Sequence, residues 1–248
     1  MGEWIAFWNS DHSIYVNARH RDVHYRRIAQ DLAQQLPASV RVLDYGCGEA
    51  CHADLIAAVE RELALCEAAP KVRAALEQRF RDHPRIKVLS PEQVAVLPAS
   101  SFDAIVMHSV AQYLVASELD SLLAEFQRLL STGGLLIVGD IVPPHVSAAT
   151  DAMALFRFAA ENGFLVAAIL GVARTLASKY WRLRSRLGLT RYSEAAMIAK
   201  LAHSGFDARR ANANIGHNPA RMTFVARRAD RSNSQPGPTS SGNASAAS

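Results

Sequence analysis

The sequence has few cysteines, no long uninterrupted apolar segment and no large excess of charge. Its three cysteines are an odd number without a paired spacing, so we expect reduced thiols and a cytoplasmic protein rather than a disulfide-stapled scaffold. The longest apolar run, Phe164–Val172, extends to Ala177 only across Arg174, whereas about 20 apolar residues are needed to span a bilayer. Met1–Asn9 carries no basic segment, which excludes a typical signal peptide.

The charge balance and the overall composition further limit the class of protein and its partners. The 27 Lys and Arg residues against 23 Asp and Glu residues leave a formal charge of +4. This excess is too mild for a surface that makes roughly 6–10 phosphate contacts, so we expect no nucleic-acid partner. Hydrophobic residues make up 50% of the chain, which is ordinary for a globular protein and excludes a wholly disordered one. Residues 230–248 contain no aromatic or large aliphatic side chain and are predicted to form a disordered tail.

Short β-rich runs alternate with helical segments between residues 40 and 142, as in a parallel sheet built from βαβ units. The predicted strands, whose continuous apolar character indicates burial on both faces, are 40–45, 63–66, 86–89, 103–107 and 134–139. The predicted helices between them are about 51–62, 71–82, 92–96 and 118–131. Ser117 with Asp120 gives the last of these a start signal, and Gly133 with Gly134 gives it a stop signal.

The flanking segments complete a predicted single domain over residues 1–229. A helix at 18–36 precedes the first strand, and a helix at 193–204 precedes two final strands at 207–212 and 222–227. The resulting divisions are an N-terminal cover segment (1–39), a core (40–146), a helical insertion (147–192), and a closing helix with a strand pair (193–229). We therefore predict an α/β, doubly wound, mostly parallel sheet with a helical insertion before the last helix.

The strongest chemical signal is the sequence VLDYGCGEA. A buried strand ends at Asp44, and Gly46 and Gly48 then turn the chain toward a helix. Glycine suits such a loop because a nucleotide must approach the backbone without a Cβ in the way, and an acid at the strand end favours a cationic amino-acid group. A plain tight turn between a strand and a helix explains the same glycines equally well.

Glu67 decides between these two readings. It ends the second predicted strand at about the distance, roughly 20 residues beyond the glycine loop, at which a ribose-binding carboxylate is expected. The alternative is a solvated acid near the helix N-terminus beside Pro70. We favour ribose binding because the acid lies where the geometry requires it.

The motifs VLDYGCGEA, LCEAAPKVRAAL, LPASSFDAIVMHSVAQYL and LLSTGGLLIVGD together resemble the class I S-adenosylmethionine-dependent methyltransferases of the small-molecule, type 11 kind. The resemblance covers roughly residues 40–142 and implies a Rossmann-like, seven-stranded fold. It also implies that Glu67 binds the ribose hydroxyls of S-adenosylmethionine and that Ala68 packs against the adenine. The loop residues that would hold the methionine end of the cofactor are Asp44, Gly46, Cys47 and Gly48.

The sequence departs from the family pattern after the third strand. The family usually has an Asp there that binds the adenine amino group, whereas this chain reads VLSPE. Ser90 or Glu92 would take that role, or adenine is held only by backbone and apolar contacts. The third small position of the glycine loop is Ala50, which many members tolerate.

Two other ligand classes fit the loop less well. A nicotinamide fingerprint needs a third small residue where this chain has Cys51. Cys47, Cys51 and His52 lack a second cysteine pair, so we expect no metal site.

The residues that act on the methyl acceptor are harder to assign. His108 and Asp140 follow the fourth and fifth strands at the edge where open α/β sheets bind ligands, and a structural or cofactor-contacting role suits each of them equally well. Tyr15 and His20 lie in an N-terminal segment of the kind that covers the site in related enzymes, so either could face the acceptor, although a surface helix with satisfied polar groups is the interpretation we favour. His108, Tyr15 and Asp140 are the catalytic candidates, and a general base is needed only where the acceptor must lose a proton.

Missing motifs narrow the acceptor. Met107–Val110 replaces the Asn/Asp-Pro-Pro-Tyr/Phe sequence of enzymes that methylate nucleic-acid bases, and the two glutamates of protein arginine methyltransferases are absent. A small-molecule acceptor follows by elimination. The alternative from another functional class is a methyltransferase-like domain that binds S-adenosylmethionine or a protein partner without turnover.

The insertion allows two interpretations, both of which make it a determinant of acceptor choice. The apolar stretch Phe164–Leu170 precedes a basic, aromatic-flanked segment, so residues 164–186 resemble an interfacial helix that contacts anionic lipid and serves a lipophilic acceptor. An ordinary lid packed on the sheet is the interpretation we favour, because most apolar stripes belong to a core. The residues of the basic segment are Arg174, Lys179, Tyr180, Trp181, Arg182, Arg184 and Arg186.

Overall fold

The computed structural model describes residues 2–10, 14–176 and 188–229. The predicted tail and most of the basic half of the insertion lie outside these residues. The strands are β1 (Arg41–Tyr45), β2 (Glu62–Cys66), β3 (Ile86–Leu89), β4 (Phe102–His108), β5 (Leu130–Ile141), β6 (Phe206–Arg210) and β7 (Met222–Arg228). The helices are α1 (Gly2–Trp8), α2 (Ala18–Gln35), α3 (Ala53–Ala57), α4 (Pro70–Phe80), α5 (Pro91–Ala95), α6 (Ala116–Leu129), α7 (Ala148–Glu161), α8 (Leu165–Leu176) and α9 (Glu194–His203).

The strands form one seven-stranded sheet in the order β3-β2-β1-β4-β5-β7-β6. Strands β1 to β5 are mutually parallel, whereas β7 is antiparallel to both β5 and β6. Continuous burial of Ala104–Met107 in β4 shows why the central strands are apolar along their whole length. The predicted doubly wound, mostly parallel sheet is confirmed.

Helices cover both faces of the sheet and bury separate halves of the core. On one face, α6 inserts Leu119, Leu123 and Phe126, whose spacing places them on one side of a helix. On the other face, α2 contributes Leu32 and α4 contributes Leu76. Because the sheet is covered on both faces, its carboxyl edge is the place where the parallel strands open toward a ligand.

Two of the predicted helices differ from the observed ones. Helix α3 ends at Ala57 instead of continuing to residue 62, because the chain turns and the Arg61 backbone N–H donates to the Val40 carbonyl before β2 begins. Helix α6 spans Ala116–Leu129 rather than 118–131, and the Glu118 carboxylate accepts from the Val115 N–H at 3.0 Å, whereas Ser117 was the expected cap.

The β5 and β6 boundaries also differ from prediction. Strand β5 begins directly after α6 at Leu130, ahead of the two glycines that were expected to end the helix, and its pairing with β4 shifts in register between Phe102 and Ala104. Strand β6 is Phe206–Arg210 instead of 207–212. Local turn signals therefore located these elements, whereas pairing between strands set their ends.

The insertion forms a helical pair that packs beside the sheet rather than on it. Phe158 and Ala159 of α7, together with Phe164 and Ala168, form a small cluster of their own with Val16 and neighbouring apolar residues. The favoured interpretation, a lid with its apolar side on the sheet, differs from this arrangement. No helix within the described residues is long and apolar enough to cross a membrane.

Candidate functional site

One large cavity of about 1260 Å³ lies at the carboxyl edge of the sheet. The ends of β1, β2, β4 and β5 border it from below, and residues of α1, α2, α7 and α8 cover it. Pockets for a single small ligand usually occupy roughly 300–1,000 Å³. The cavity therefore has room for a cofactor and a second molecule.

Most of the residues singled out from the sequence line this cavity. Those that do are Tyr15, His20, Asp44, Gly46, Cys47, Gly48, Glu67, Ala68, His108 and Asp140. Ser90 is not among the lining residues, although its neighbour Pro91 is. The Ser90 hydroxyl instead caps α5 by accepting from the Gln93 N–H at 3.3 Å, while the Gln93 side chain accepts from the Ser90 N–H at 2.7 Å.

The glycine loop requires glycine at both predicted positions. Gly46 has φ +79°, and a Cβ there would lie 2.3 Å from Cγ2 of Val110. Gly48 has φ +58°, and its Cβ would lie 2.6 Å from the Tyr25 hydroxyl. That hydroxyl accepts from the Glu49 N–H at 2.9 Å, which ties α2 to the loop. Tyr25 is not predictable from the sequence, because nothing in the local pattern of α2 indicates contact with a loop 20 or so residues away.

Glu67 is fixed by the loop that it faces. One carboxylate oxygen accepts from the Gly48 N–H at 3.0 Å, and the other accepts from the Ala69 N–H at 2.7 Å. The residue is 8% exposed, and burial raises the pKa of its carboxyl group even though these backbone donors oppose the shift. The geometry joins the end of β2 to the glycine loop, as the sequence spacing predicted.

Asp44 contributes a second buried acid at the same end of the cavity. Burial raises its pKa from 3.8 to about 7, and the nearby Glu67 carboxylate adds to the shift. A cationic ligand group placed beside Asp44 would favour its ionised form. This end of the cavity therefore suits a ligand that combines a positive charge with hydroxyl groups.

The ends of β4 and β5 are held together by side-chain hydrogen bonds. Nε2 of His108 lies 3.1 Å from the Ile215 carbonyl, and its Nδ1 lies 3.1 Å from the Ser109 hydroxyl. Ser109 in turn donates to Asp140 at 2.8 Å. Ser109 and Asp140 both have left-handed backbone, with φ +58° and +61°, and such strain is concentrated at functional sites. Both ring nitrogens of His108 thus have partners within the protein.

A buried arginine anchors the insertion above this edge. The Arg221 guanidinium pairs with Asp151 of α7 through two hydrogen bonds, of 2.9 and 3.2 Å, and donates to Gln112 at 2.8 Å. It also lies 3.5 Å from Asp140. Asn218, from the polar turn before β7, donates to Asp151 at 2.9 Å. The turn before β7 therefore helps to hold α7 in place.

Three histidines, His20, His24 and His217, line another part of the cavity, and we call them the histidine cluster. His20 stacks on Phe164 with 5.0 Å between ring centroids, and His217 stacks on Phe158 at 4.6 Å. The rings of His24 and His217 are 5.6 Å apart. Nδ1 of His24 is buried and has no hydrogen-bond partner in the part of the chain that the structure describes.

Burial keeps the histidine cluster uncharged. It lowers the pKa of His20 from 6.5 to about 4, with His217 adding to the shift. It lowers the pKa of His24 well below 6.5 and also lowers the pKa of His217. Tyr15 lies beside His20 and His24, at ring distances of 5.3 and 5.5 Å, and burial raises the pKa of its phenol. The phenol and the imidazoles therefore form a neutral, aromatic compartment at neutral pH.

The N-terminal helix closes the cavity from the side. The Trp4 ring lies 4.5 Å from the Tyr113 ring, and the Trp8 ring lies 5.9 Å from it. Asn9 accepts from the Lys71 N–H at 2.8 Å, beside the start of α4. The sequence predicts a covering segment here, but these tryptophans were not among the predicted site residues. The signal that could have indicated them is that both occur among the first residues of the chain.

The three cysteines are free thiols, and burial raises the pKa of Cys47. Within residues 2–10, 14–176 and 188–229, no group of three or more histidine, cysteine or acidic side chains could hold a metal ion.

Part of the chain matches a known protein family, and most of it shares its fold with solved structures. Residues 43–138 match the family described as "Methyltransferase domain". A stretch of 72 residues is 36% identical to a probable non-canonical nonribosomal peptide synthetase, CymA, of Salinispora arenicola. That stretch is 29% of this chain and 1% of the much longer synthetase.

Solved structures share the fold over most of the chain. The amino pentose methyltransferase CalS10 of Micromonospora echinaspora, solved with S-adenosylmethionine, is 15% identical with a TM-score of 0.56 over 92% of this chain and 97% of its own. Magnesium protoporphyrin IX methyltransferase of Synechocystis, solved with S-adenosylhomocysteine, is 13% identical with a TM-score of 0.57 over 92% and 94%. At these identities the likeness establishes the fold. The family match over residues 43–138 and this shared fold both agree with the resemblance to class I, S-adenosylmethionine-dependent methyltransferases.

Proposed function

We propose that the protein transfers the methyl group of S-adenosylmethionine to a small-molecule acceptor bound in the same cavity. The observation that carries this proposal is the hydrogen bond from the Gly48 N–H to Glu67, which places the glycine loop and the strand-end acid at one end of a large cavity. The histidine cluster lines another part of the same cavity. A cofactor held by the glycine loop and Glu67 would leave that part for an acceptor.

Each residue at the cofactor end has a specific task in this proposal. Asp44 faces the positively charged methionine end, and Glu67 accepts hydrogen bonds from the ribose hydroxyls. Ala68 and Pro91 border the space for adenine, which is then held by apolar and backbone contacts, since Ser90 caps α5. When bound, S-adenosylmethionine supplies an electrophilic methyl group on a sulfonium.

At the acceptor end, the protein's main contributions are positioning and exclusion of water. Because burial keeps the histidine cluster uncharged, His24 and His217 suit hydrogen bonding to a neutral acceptor better than taking a proton from it. Tyr15 holds its proton because burial raises its pKa, so it suits a hydrogen-bond donor better than a base. His108 and Asp140 help to hold the ends of β4 and β5 in place through their hydrogen bonds to Ile215 and Ser109.

The relatives support a small acceptor. CalS10 is described as an amino pentose methyltransferase, and the Synechocystis enzyme acts on magnesium protoporphyrin IX. Both proteins share this fold and are named for small-molecule acceptors, which supports a small-molecule acceptor for this chain.

The proposal is tested in two steps. Isothermal titration calorimetry with S-adenosylmethionine and S-adenosylhomocysteine should give binding of both, and no heat with either ligand would refute the proposal. A screen of metabolites with methyl-labelled cofactor then identifies the acceptor, with the Glu67→Ala protein as the control for background transfer.

A second candidate function is binding of S-adenosylmethionine without turnover. The capping role of Ser90 favours it, because Ser90 then offers adenine no hydrogen bond and Glu92, the other candidate, is not among the residues that line the cavity. Cofactor binding without labelled product across the screen would select this candidate. A labelled product that requires Glu67 would exclude it.

A further inference from the structure

The outer side of α8 presents an apolar surface to solvent. It consists of four side chains, which we call the α8 surface, with exposed fractions of 39% for Leu165, 73% for Val166, 52% for Ile169 and 54% for Leu170. Their positions repeat with the spacing of one helix face. Single exposed apolar residues are ordinary in proteins, but a continuous row of them marks an interaction site.

The opposite side of α8 fixes which residues face outward. Phe164 and Ala168 are buried against α7 and the segment before α2. Gly171 approaches Val16 so closely that a Cβ there would lie 2.7 Å from the Val16 Cβ. The helix therefore has a defined rotation, and the apolar row cannot turn inward without breaking these contacts.

The charge of the surrounding sequence indicates what covers the row. Between Glu161 and Glu194 the chain contains no Asp or Glu. Its basic residues in that interval are Arg174, Lys179, Arg182, Arg184, Arg186 and Arg191. Arg174 lies in the last turn of α8, exposed next to the apolar row. An apolar face within a segment whose only charged residues are basic is complementary to a lipid surface with negative head groups.

We propose that the α8 surface docks on an anionic lipid bilayer. The four apolar side chains enter the boundary between head groups and acyl chains, and Arg174 beside them contacts the head groups. A second copy of the chain is a poorer occupant, because it would bring an equally basic segment against the first and add repulsion.

Docking would place the cavity next to the bilayer, because Gly171 and Arg174 of the same helix line it. An acceptor that partitions into lipid would then reach the histidine cluster without crossing bulk water. This consequence for the acceptor class rests on the proposed methyl transfer, whereas the docking itself does not.

Co-sedimentation of the full chain with vesicles tests the docking. Wild-type protein should sediment with vesicles of phosphatidylcholine and phosphatidylglycerol at low salt, and less at high salt. The triple variant Val166→Ser/Ile169→Ser/Leu170→Ser should partition onto these vesicles roughly tenfold less. The single variant Val166→Ser, at the most exposed of the four positions, should lose roughly threefold and leaves the fold intact.

The matched control is Val96→Ser/Val115→Ser, which removes two exposed valines, at 82% and 58% exposure, away from α8. It should sediment like the wild type, as should Glu67→Ala, so that a failure of cofactor binding does not affect this result. Absence of wild-type sedimentation at low salt, or equal sedimentation of the triple and single variants, overturns the proposal. A wild-type dimer that the triple variant converts to monomer overturns it in favour of a second copy.

Discussion

The two ends of the cavity are assembled in opposite ways. The cofactor end comes from one continuous stretch, β1 with its glycine loop, and from Glu67 at the end of the adjacent strand. The histidine cluster comes from α2 and from the turn before β7, and it is walled by Phe158 and Phe164 of the insertion. Local sequence thus specifies the first end, whereas the second exists only when distant segments pack together.

The same physical cause gives the two ends their electrostatic character. Burial raises the pKa of Asp44 to about 7 and lowers the pKa of His20 to about 4, because a low-dielectric environment disfavours charge of either sign. The acid can recover its charge when a cationic ligand arrives beside it. The imidazoles gain nothing from such a ligand and stay neutral. The cofactor end should therefore respond to ligand charge, and the acceptor end should not.

The largest effect should come from Gly46→Val. The new side chain would overlap Val110, and the position has φ +79°, which a β-branched residue adopts only under strain. We expect affinity for S-adenosylhomocysteine to fall by about 100-fold or more, measured by calorimetry. Gly133→Val is the matched control, because Gly133 has φ +68° but nothing within 4 Å of its Cβ position. Equal losses in both variants would show that backbone strain, rather than the loop, is responsible.

Glu67→Ala should have the next largest effect. Removing a charged hydrogen-bond acceptor should weaken S-adenosylhomocysteine binding by roughly 1.5–3 kcal/mol, measured by the same titration. Glu62→Ala, at the other end of β2 where Glu62 pairs with Lys87, should bind like the wild type. Unchanged binding by Glu67→Ala would remove the ribose assignment.

The histidine cluster and Asp44 should change the stability of the protein in opposite directions as the pH falls. Because the folded pKa values of the histidine cluster lie below the unfolded value of 6.5, their contribution to stability is complete above pH 6.5 and is lost toward pH 4. Each histidine contributes a slope of up to about 1.4 kcal/mol per pH unit. The contribution of Asp44 to stability is instead lost as the pH rises from about 4 to 7, because the folded form retains a proton that the unfolded form releases.

Urea unfolding of the empty protein between pH 5 and 6.5 measures this balance. His24→Gln should make the loss of stability on acidification shallower, and Asp44→Asn should make it steeper. Parallel curves for the wild type and both variants would contradict the assigned pKa shifts.

The smallest expected effect is that of His217→Gln on cofactor affinity. His217 lies at the acceptor end, so S-adenosylhomocysteine should bind within about twofold of the wild type, while labelled-methyl transfer falls. His203→Gln, at the end of α9, is the control for loss of an imidazole elsewhere. A tenfold loss of cofactor affinity in His217→Gln would mean that the two ends are not independent.

The same difference between local and distant contacts decides which features of the protein are predictable from the sequence. The buried strands, the glycine loop and the spacing to Glu67 follow from local patterns, because a βαβ unit places consecutive strand ends side by side. The shortened α3 and the early start of β5 depend on pairing with neighbouring strands, which local patterns do not encode.

The missed residues share one property. Tyr25 acts on a loop across the cavity, His217 lies in a turn without a recognisable motif, and Arg221 joins three separate elements. Their partners are far away in the chain, so their roles become visible only in three dimensions. Ser90 shows the reverse case, since the local sequence SPEQ indicates its capping of α5, and the predicted ligand role differs from this arrangement.

The central claim, that the glycine loop and Glu67 hold the cofactor, is tested most directly by a crystal structure with S-adenosylhomocysteine. The account predicts ribose hydroxyls at about 2.7–3.2 Å from the Glu67 carboxylate, the amino-acid end beside Asp44 and Gly46, and the sulfur directed toward the histidine cluster. A ligand bound elsewhere, or a ribose with no contact to Glu67, would contradict it.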